Sequence, residues 1–553
     1  MAGNFEPVDT GRIDAGHLDA GHLDAGHLDA GHLEPGDDID PSTLALDPSL
    51  VLPARVLDWA DRQPDRVFMS DVGGRRVTYG QFAEELRRWC ALLRSLGVQR
   101  GDRVGCMIPA SIDAQLVWMA ASCVGACEVP VSHELRGESL RHVLTDAGVK
   151  LCLARPELVD LVTSSGIDGL QIVPVARDGS ITDAIEPIDP ELPGPGDLSC
   201  VIYTSGTTGP AKGVMIPWGQ LTGVLGRVPR SWFRSSDVSY APWPTFHITG
   251  RSPVVTMLDC GGQLVFREKF SLSDFWDDLE RYQVTTTTIG SVTRLVLGLP
   301  PSPRDRQHSL RFVMCALQDQ SALAFQARYG VPTIGSYGST EIGFPVVHRN
   351  LTPDTVGLTG WPRPGYQVKL TDADGVEVPD GEQGELWVRP PHPLLRLVGY
   401  LNRPDLTERA IVDGWYRTGD GFVHNADGSL QFKDRLNDTI RRFFENISST
   451  AIESVVTADA EVLECAAVGV PNEICGAEVM LVLVAAPNCS ANPAALYERL
   501  QDQLPRHARP AFIAYVDGFD KTPNGKIRKN GLEIHRARAW QSPMAVIERS
   551  GDG

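Results

Sequence analysis

Helical patterns alternate with short apolar runs along most of this 553-residue chain. The amphipathic stretch at residues 79–97 is followed by apolar runs at residues 103–109 and 127–132. Such alternation is typical of α/β layering. Residues 365–390 instead contain alternating strand patterns separated by Asp-Gly turns, which predict β-hairpins. The sequence therefore predicts a large α/β domain with a β-rich subdomain.

The pattern restarts after Arg435 with a compact stretch of about 110 residues, which includes a predicted helix at residues 492–504. We interpret this stretch as a small α+β domain. The predicted organisation is therefore a large domain at residues 45–435 and a small, mobile domain at residues 436–553.

Residues 14–33 repeat the pentapeptide DAGHL four times. In a helix, at about 100° per residue, each five-residue repeat would be rotated about 140° from the previous one, so no face would collect the leucines. In a strand, an odd period would place successive leucines on opposite faces, so neither face would be buried. We predict that residues 1–44 are disordered. The repeats contain four histidines, which are His17, His22, His27 and His32. These side chains would bind a soft metal only if the tail wrapped around it. A repeat tract that arose by slippage is the simpler interpretation.

Charge and composition exclude several function classes. The net charge of −19 repels nucleic acid and anionic lipid, and the sequence shows no compensating basic patch. No apolar run approaches the roughly 20 residues of a membrane helix, and the first residues do not resemble a secretion signal. We expect a cytoplasmic protein without nucleic-acid or membrane partners, whose eleven cysteines are buried, reduced thiols.

An apolar strand at residues 198–203 leads into a loop rich in glycine and threonine that ends with Lys212. Small residues allow backbone N–H groups to approach phosphate oxygens, hydroxyl groups donate further hydrogen bonds, and the lysine supplies charge. The loop is not a Walker motif, because Ala211 precedes the lysine and Gly213 follows it. It therefore predicts a phosphate site of another type.

This loop resembles the phosphate loop of the adenylate-forming superfamily of acyl-CoA synthetases, luciferases and peptide-synthetase adenylation domains. Four further motifs resemble that superfamily in the same order. The closest resemblance is to carnitine/crotonobetaine-CoA ligase-like enzymes, which share the Asp-Gln segment within residues 312–325. The five motifs are YTSGTTGPAKG at 203–213, SYGSTEIG at 336–343, GWYRTGD at 414–420, DRLND at 434–438 and PNGKIRK at 523–529.

The resemblance implies a role for each matching residue. Tyr337 would stack on adenine, Asp420 would bind the ribose, Glu341 would bind Mg²⁺, and Lys526 would bridge the substrate carboxylate and the α-phosphate. Thr340 would touch the α-phosphate, and His247 is a candidate gate of the acyl pocket or a structural histidine. The remaining nucleotide-binding residues would be Thr204, Ser205, Gly206, Thr207, Thr208, Gly209, Lys212, Ser336, Gly338, Ser339 and Arg435.

The resemblance also implies ATP, Mg²⁺ and a carboxylic acid as substrates. Only 27 residues follow Lys526, so we expect no carrier domain there and a free thiol as acceptor. Coenzyme A is the first expectation, and a carrier protein acting in trans is the second. In the family the small domain rotates about a hinge, here Asn437, to bring first the lysine and then the loop at residues 443–446 to the site.

Phe443 and Phe444 depart from the family pattern, which has small residues there, before Glu445 and Asn446. Burying two phenylalanines is worth about 3 to 6 kcal/mol, comparable to the roughly 5.5 kcal/mol that inverts a 1:99 equilibrium. One hypothesis is a bias to thioester formation, with acyl-AMP supplied by a partner adenylating ligase. Blockage of the coenzyme A tunnel, an ordinary two-step ligase and a non-catalytic acyl-adenylate binder are the alternatives.

Trp218 and the loop at residues 443–446 give two further expectations. Trp218 replaces the histidine usual in the family, which indicates a change in nucleotide or acyl contacts. The altered loop also suggests an enzyme of secondary metabolism.

Overall fold

The computed structural model describes residues 41–204, 210–315, 318–372, 374–435, 439–443, 445–486, 489–520, 527, 529 and 531–545. Its helices are α1 Pro41–Leu46, α2 Leu52–Arg62, α3 Tyr79–Ser95, α4 Ile112–Cys123, α5 Gly137–Asp146, α6 Val159–Thr163, α7 Trp218–Thr222, α8 Ile248–Cys260, α9 Phe275–Arg281, α10 Thr293–Leu297, α11 Gln320–Tyr329, α12 Pro404–Ala410, α13 Ser449–Val456 and α14 Pro493–Gln501.

The strands are β1 Val67–Asp71, β2 Arg76–Thr78, β3 Arg103–Met107, β4 Cys127–Pro130, β5 Leu151–Ala154, β6 Gln171–Pro174, β7 Leu198–Thr204, β8 Lys212–Pro217, β9 Val238–Ala241, β10 Gln263–Phe266, β11 Thr286–Thr288, β12 Phe312–Cys315, β13 Thr333–Ser339, β14 Gly343–His348, β15 Trp361–Pro362, β16 Gln367–Thr371, β17 Gln383–Arg389, β18 Gly399–Tyr400, β19 Ile411–Val412, β20 Trp415–His424, β21 Leu430–Arg435, β22 Thr439–Arg442, β23 Glu445–Ser448, β24 Val462–Asn472, β25 Gly476–Ala485, β26 Phe512–Tyr515 and β27 Trp540–Gln541.

Two mainly parallel sheets form the core of the large domain. One has the order β15-β14-β13-β12-β11-β9-β10-β1-β2 and the other the order β18-β8-β7-β4-β3-β5-β6. The strands from β13 to β1 in the first sheet and from β7 to β6 in the second pair in parallel, as the alternation of helices and apolar runs predicts. The strands beyond them pair antiparallel. The α/β fold class is confirmed.

The β-rich subdomain is a separate antiparallel sheet. Strands β16 and β17 pair from Gln367 opposite Arg389 to Thr371 opposite Glu385, and β17 continues onto β20. The pairing of β16 with β17 is a predicted hairpin, whereas β20 lies outside residues 365–390. The small domain contains a mixed sheet of β22 to β27 with α13 and α14, and its first described residue is Thr439.

The folded part of the chain begins earlier than the sequence indicates. Helix α1 starts at Pro41, Leu44 and Ala45 are buried, and the Thr222 hydroxyl donates a hydrogen bond to the Leu44 carbonyl oxygen at 2.8 Å. The predicted tail of residues 1–44 is therefore too long by at least its last four residues. The DAGHL repeats lie outside the described residues.

Helix α4 is buried along its whole length. Within this core, Trp118 stacks on Trp218 with ring centres 5.1 Å apart, and the Arg251 guanidinium lies 4.3 Å from the Trp118 ring centre. Trp218 is absent from the lining of the candidate site described below. Its position gives Trp218 a packing role in the core, and the predicted change in nucleotide or acyl contacts stays a prediction.

All eleven cysteines are free, and nine of them are buried. This agrees with the prediction of reduced thiols. Among the residues that the structure describes, no helix combines the length and the apolar character needed to cross a bilayer.

Candidate active site between the two domains

A cavity of about 1530 Å³ lies where the small domain meets the large one. It collects residues from three of the five sequence motifs and from both domains. The predicted site residues that line it are Thr204, Lys212, His247, Ser336, Tyr337, Gly338, Ser339, Thr340, Glu341, Phe443 and Glu445.

Lys212, Tyr400 and Glu341 form a polar cluster on this cavity. The Lys212 Nζ donates to the Tyr400 hydroxyl at 2.8 Å, and that hydroxyl donates to Glu341 Oε1 at 3.1 Å. The ammonium also lies 3.7 Å from Glu341 Oε1. Burial, together with the Glu341 charge, raises the pKa of Tyr400 far above its usual range. The phenol therefore stays protonated and positions the carboxylate.

Sequence reasoning missed Tyr400, which pairs with β8 only through the two-residue strand β18.

The turn from β13 to β14 presents Thr340 and Glu341. It is closed by Gly338, where an added Cβ would stand 1.8 Å from the Gly343 carbonyl oxygen, so only glycine fits. The Gln220 side-chain amide donates to the Thr340 carbonyl oxygen at 2.7 Å and fixes the turn from the other side.

Tyr337 and Asp420, the predicted adenine and ribose residues, are in direct contact. The Tyr337 hydroxyl donates to Asp420 Oδ2 at 2.6 Å, and its ring packs edge-on against Phe422 at 4.8 Å between centres. Arg435 lies opposite Asp420 in the pairing of β20 with β21. The structure therefore brings the two motifs to one wall of the site.

Two His–Glu pairs cross the boundary between the domains. His247, just before α8, lies 2.9 Å from Glu445 Oε1, measured from its Nε2. The Nδ1 of His507 in the small domain lies 3.0 Å from Glu134 Oε2 in the large domain. Each domain thus contributes one histidine and one glutamate. We call this the docked arrangement; sequence reasoning predicted His247 and Glu445 but missed Glu134 and His507.

The charges of these pairs reinforce one another. Burial alone would raise the pKa of Glu445, but the charges of His247 and His507 outweigh it and lower this pKa to about 2. Burial would lower the pKa of His507, yet the charges of Glu445 and Glu134 raise it above its ordinary value. The hydrogen bond to His507 in turn lowers the pKa of Glu134.

These shifts predict a pH dependence of docking. His507 has a raised pKa when docked, so its contribution is complete below its ordinary pKa of about 6.5 and is lost as pH rises through the docked value. Glu445 has a lowered pKa, so its contribution is complete above about 4.5 and is lost as pH falls towards about 2. We expect docking to be most stable between these ordinary values.

Resonance energy transfer between fluorescent labels on the two domains measures the docked fraction. The docked fraction should fall on the alkaline side, and His507→Gln should remove that alkaline dependence. A wild-type docked fraction that does not change from pH 6 to 9 would contradict the role given to His507.

Phe443 has a backbone conformation that suits glycine. Its φ angle is +52°, its N–H donates to the Cys475 carbonyl oxygen at 2.7 Å, and its half-buried side chain lines the cavity. A non-glycine residue in this region costs about 1 to 3 kcal/mol. A large side chain therefore occupies a strained position at the entrance of the site.

Several predicted residues lie outside this description. Ser205, Gly206, Thr207, Thr208, Gly209, Asn437, Phe444 and Lys526 are outside the described residues. Asn446 is described only as part of β23, where it pairs with Arg441.

The chain belongs to the family of AMP-binding enzymes, whose family model matches residues 56–397, while the model for the C-terminal domain of these enzymes matches residues 451–526. The predicted membership of the adenylate-forming superfamily is confirmed.

The curated relatives are named as CoA ligases. Crotonobetaine/carnitine–CoA ligase of Proteus mirabilis is 27% identical over 86% of this chain and 96% of that protein. Medium/long-chain-fatty-acid–CoA ligase of Mycobacterium tuberculosis is 29% identical over 90% of this chain and 88% of that protein. These names agree with the predicted enzyme class of acid–thiol ligases.

A solved structure supports the fold. The o-succinylbenzoate CoA synthetase of Bacillus subtilis, a double mutant bound to a product analogue, superposes with a TM-score of 0.77 at 23% identity, over 87% of this chain and 98% of that chain. At this identity the likeness shows the fold alone.

Proposed function

We propose that this AMP-binding enzyme forms a coenzyme A thioester from a carboxylic acid through acyl-AMP, and that its docked arrangement favours the second half-reaction. The observation that carries the proposal is the contact of Glu445 with His247 at 2.9 Å. This contact supports the proposal because Glu445 belongs to the loop at residues 443–446, and the family resemblance associates that loop with thioester formation.

The two half-reactions make different demands on the site. In adenylation a carboxylate oxygen of the acid bonds to the α-phosphorus of ATP, and pyrophosphate leaves. In thioester formation the thiol loses its proton, its sulfur bonds to the acyl carbon of acyl-AMP, and AMP leaves. Tyr337 and Asp420 hold the nucleoside in both, while Lys212 offsets phosphate charge.

Mg²⁺ would arrive with ATP as part of the substrate, and Glu341 would offer it a carboxylate oxygen while Thr340 contacts the α-phosphate. Among the described residues, no group of three or more acidic, histidine or cysteine side chains could hold a metal by itself. This fits an ion that the nucleotide phosphates bring. Lys526 is the residue proposed for adenylation.

Comparison of the half-reactions tests the proposal. Synthetic acyl-AMP with coenzyme A should yield thioester readily, whereas pyrophosphate exchange with ATP and acid should be roughly 100-fold slower, as for a state populated to about 1%. A second, adenylating ligase would then supply acyl-AMP in the cytoplasm. Robust exchange would contradict the bias, and exchange without any thioester would instead support blockage of the coenzyme A tunnel.

A further inference from the structure

Arg227 is a buried cation on the wall of the cavity. It follows α7, is 9% exposed and lines the same cavity as the predicted site residues. Its guanidinium carbon lies 4.4 Å from the ring centre of Phe344. Among the described residues, its Nε has no hydrogen-bond partner, and no carboxylate lies within ion-pair distance.

Within the part of the chain that the structure describes, the surroundings of Arg227 offer its charge the ring of Phe344 but no carboxylate. Burial, with the nearby charge of Arg363, lowers its pKa to about 9. Taking an ionised group out of water without a counter-charge is costly, because the guanidinium loses hydration while its Nε gains no acceptor from the described residues. A ligand that brings an acceptor to this wall of the cavity would reduce that cost.

Gln318 supplies an independent observation on the same cavity. Its Oε1 accepts a hydrogen bond from the Thr333 hydroxyl at 3.3 Å, but its buried Nε2 has no partner among the described residues. It too lines the cavity. Amide and guanidinium nitrogens only donate hydrogen bonds, so the Arg227 Nε and the Gln318 Nε2 both lack an acceptor in the described part of the chain.

We propose that Arg227 determines acyl specificity by binding a second, non-reacting carboxylate or ketone oxygen of the acid. The inference rests on the proposed function, since it names the substrate class of that site. The preferred substrates are oxygenated acids rather than plain hydrocarbon acids. A cavity of about 1530 Å³ exceeds the usual 300 to 1,000 Å³ of a ligand pocket, so it has room for an adenylate with a large acyl group.

Binding of acylsulfamoyl adenosines, non-reacting analogues of acyl-AMP, tests this by calorimetry. Each alkanoyl analogue is compared with its terminal-carboxy and keto counterparts of equal chain length, over several lengths. The wild type should bind an oxygenated analogue about 10- to 100-fold more tightly than its hydrocarbon match. Arg227→Met should abolish this preference, and Arg227→Lys should retain part of it.

Two controls separate substrate binding from other roles. AMP alone should bind equally well to the wild type and to Arg227→Met; a weaker AMP affinity in the variant would assign Arg227 to phosphate and overturn the proposal. The ligand-free Arg227→Met protein should melt a few degrees higher than the wild type, because a buried charge is removed. A lower melting temperature with the acyl preference retained would show a structural role and also overturn it.

The test of acyl specificity can fail or succeed independently of the proposed ligase activity. Equal wild-type affinities for all matched analogues would refute the specificity role even if coenzyme A turnover were robust. A clear oxygen preference without any thioester formation would leave the role of Arg227 intact and refute the ligase activity.

Discussion

Replacing Phe443 and Phe444 by glycine is expected to raise the rate of pyrophosphate exchange about 10- to 100-fold. Each phenylalanine that is buried only in the docked arrangement stabilises it by up to about 1.5 to 3 kcal/mol, and about 1.4 kcal/mol corresponds to tenfold. The half-buried Phe443 side chain lines the cavity. Removal of the rings should therefore return the small domain to the adenylating arrangement. The measurement is ATP–pyrophosphate exchange with the acid, beside thioester formation from acyl-AMP.

A matched alanine pair separates the ring from the backbone. The strain at Phe443 arises within the small domain, where its N–H bonds to the Cys475 carbonyl oxygen, so it is present in both arrangements and cancels from their equilibrium. Alanine at both positions should thus raise exchange as much as glycine. It should also leave the protein about 1 kcal/mol less stable than the glycine variant, because alanine keeps the strained φ angle. Unchanged exchange in both variants would show that the rings do not restrain the domain.

Removal of the Glu445 charge is expected to move the two half-reactions in opposite directions. Glu445→Gln loses the attraction of two histidines, His247 and His507, and truncating a close charge pair costs about 2 kcal/mol or more. From a docked population of about 99%, thioester formation should fall by only about a quarter, while pyrophosphate exchange should rise about 20-fold. The measurement is the ratio of the two rates.

The exposed Glu498 on α14 offers the control for this substitution. Glu498→Gln changes the same charge on the same domain and should leave both rates unaltered. A parallel loss of both rates in Glu445→Gln would indicate misfolding rather than a lost domain contact, and an unaltered ratio would remove Glu445 from domain docking.

The sequence predicted those parts of the site that are written in short, continuous strings. The motifs at residues 203–213 and 336–343 form adjoining walls because each lies at the end of a strand in its own sheet. The hairpins of residues 365–390 follow from local alternation and Asp-Gly turns.

Contacts between distant residues left no such local signal. Glu134 and His507 are 373 residues apart, and neither lies in a motif. Lys212 lies in a motif, but its partner Tyr400, 188 residues away, does not. Arg227 gave no signal either, since an isolated arginine is usually a solvated surface residue. The packing of Trp218 on Trp118 depended on a helix a hundred residues upstream.

The loop at Phe443 is linked to the sheet of the small domain through Arg442. Arg442 Nε lies 2.8 Å from Glu478 Oε2, and both side chains are almost completely buried. The Arg442 Nη1 also donates to the His507 carbonyl oxygen at 3.1 Å. These contacts join the loop to the backbone at His507, so we expect Glu445 and His507 to move together when the small domain reorients. Reporter groups attached anywhere on this part of the small domain should relax with a single common rate constant after rapid mixing with substrate.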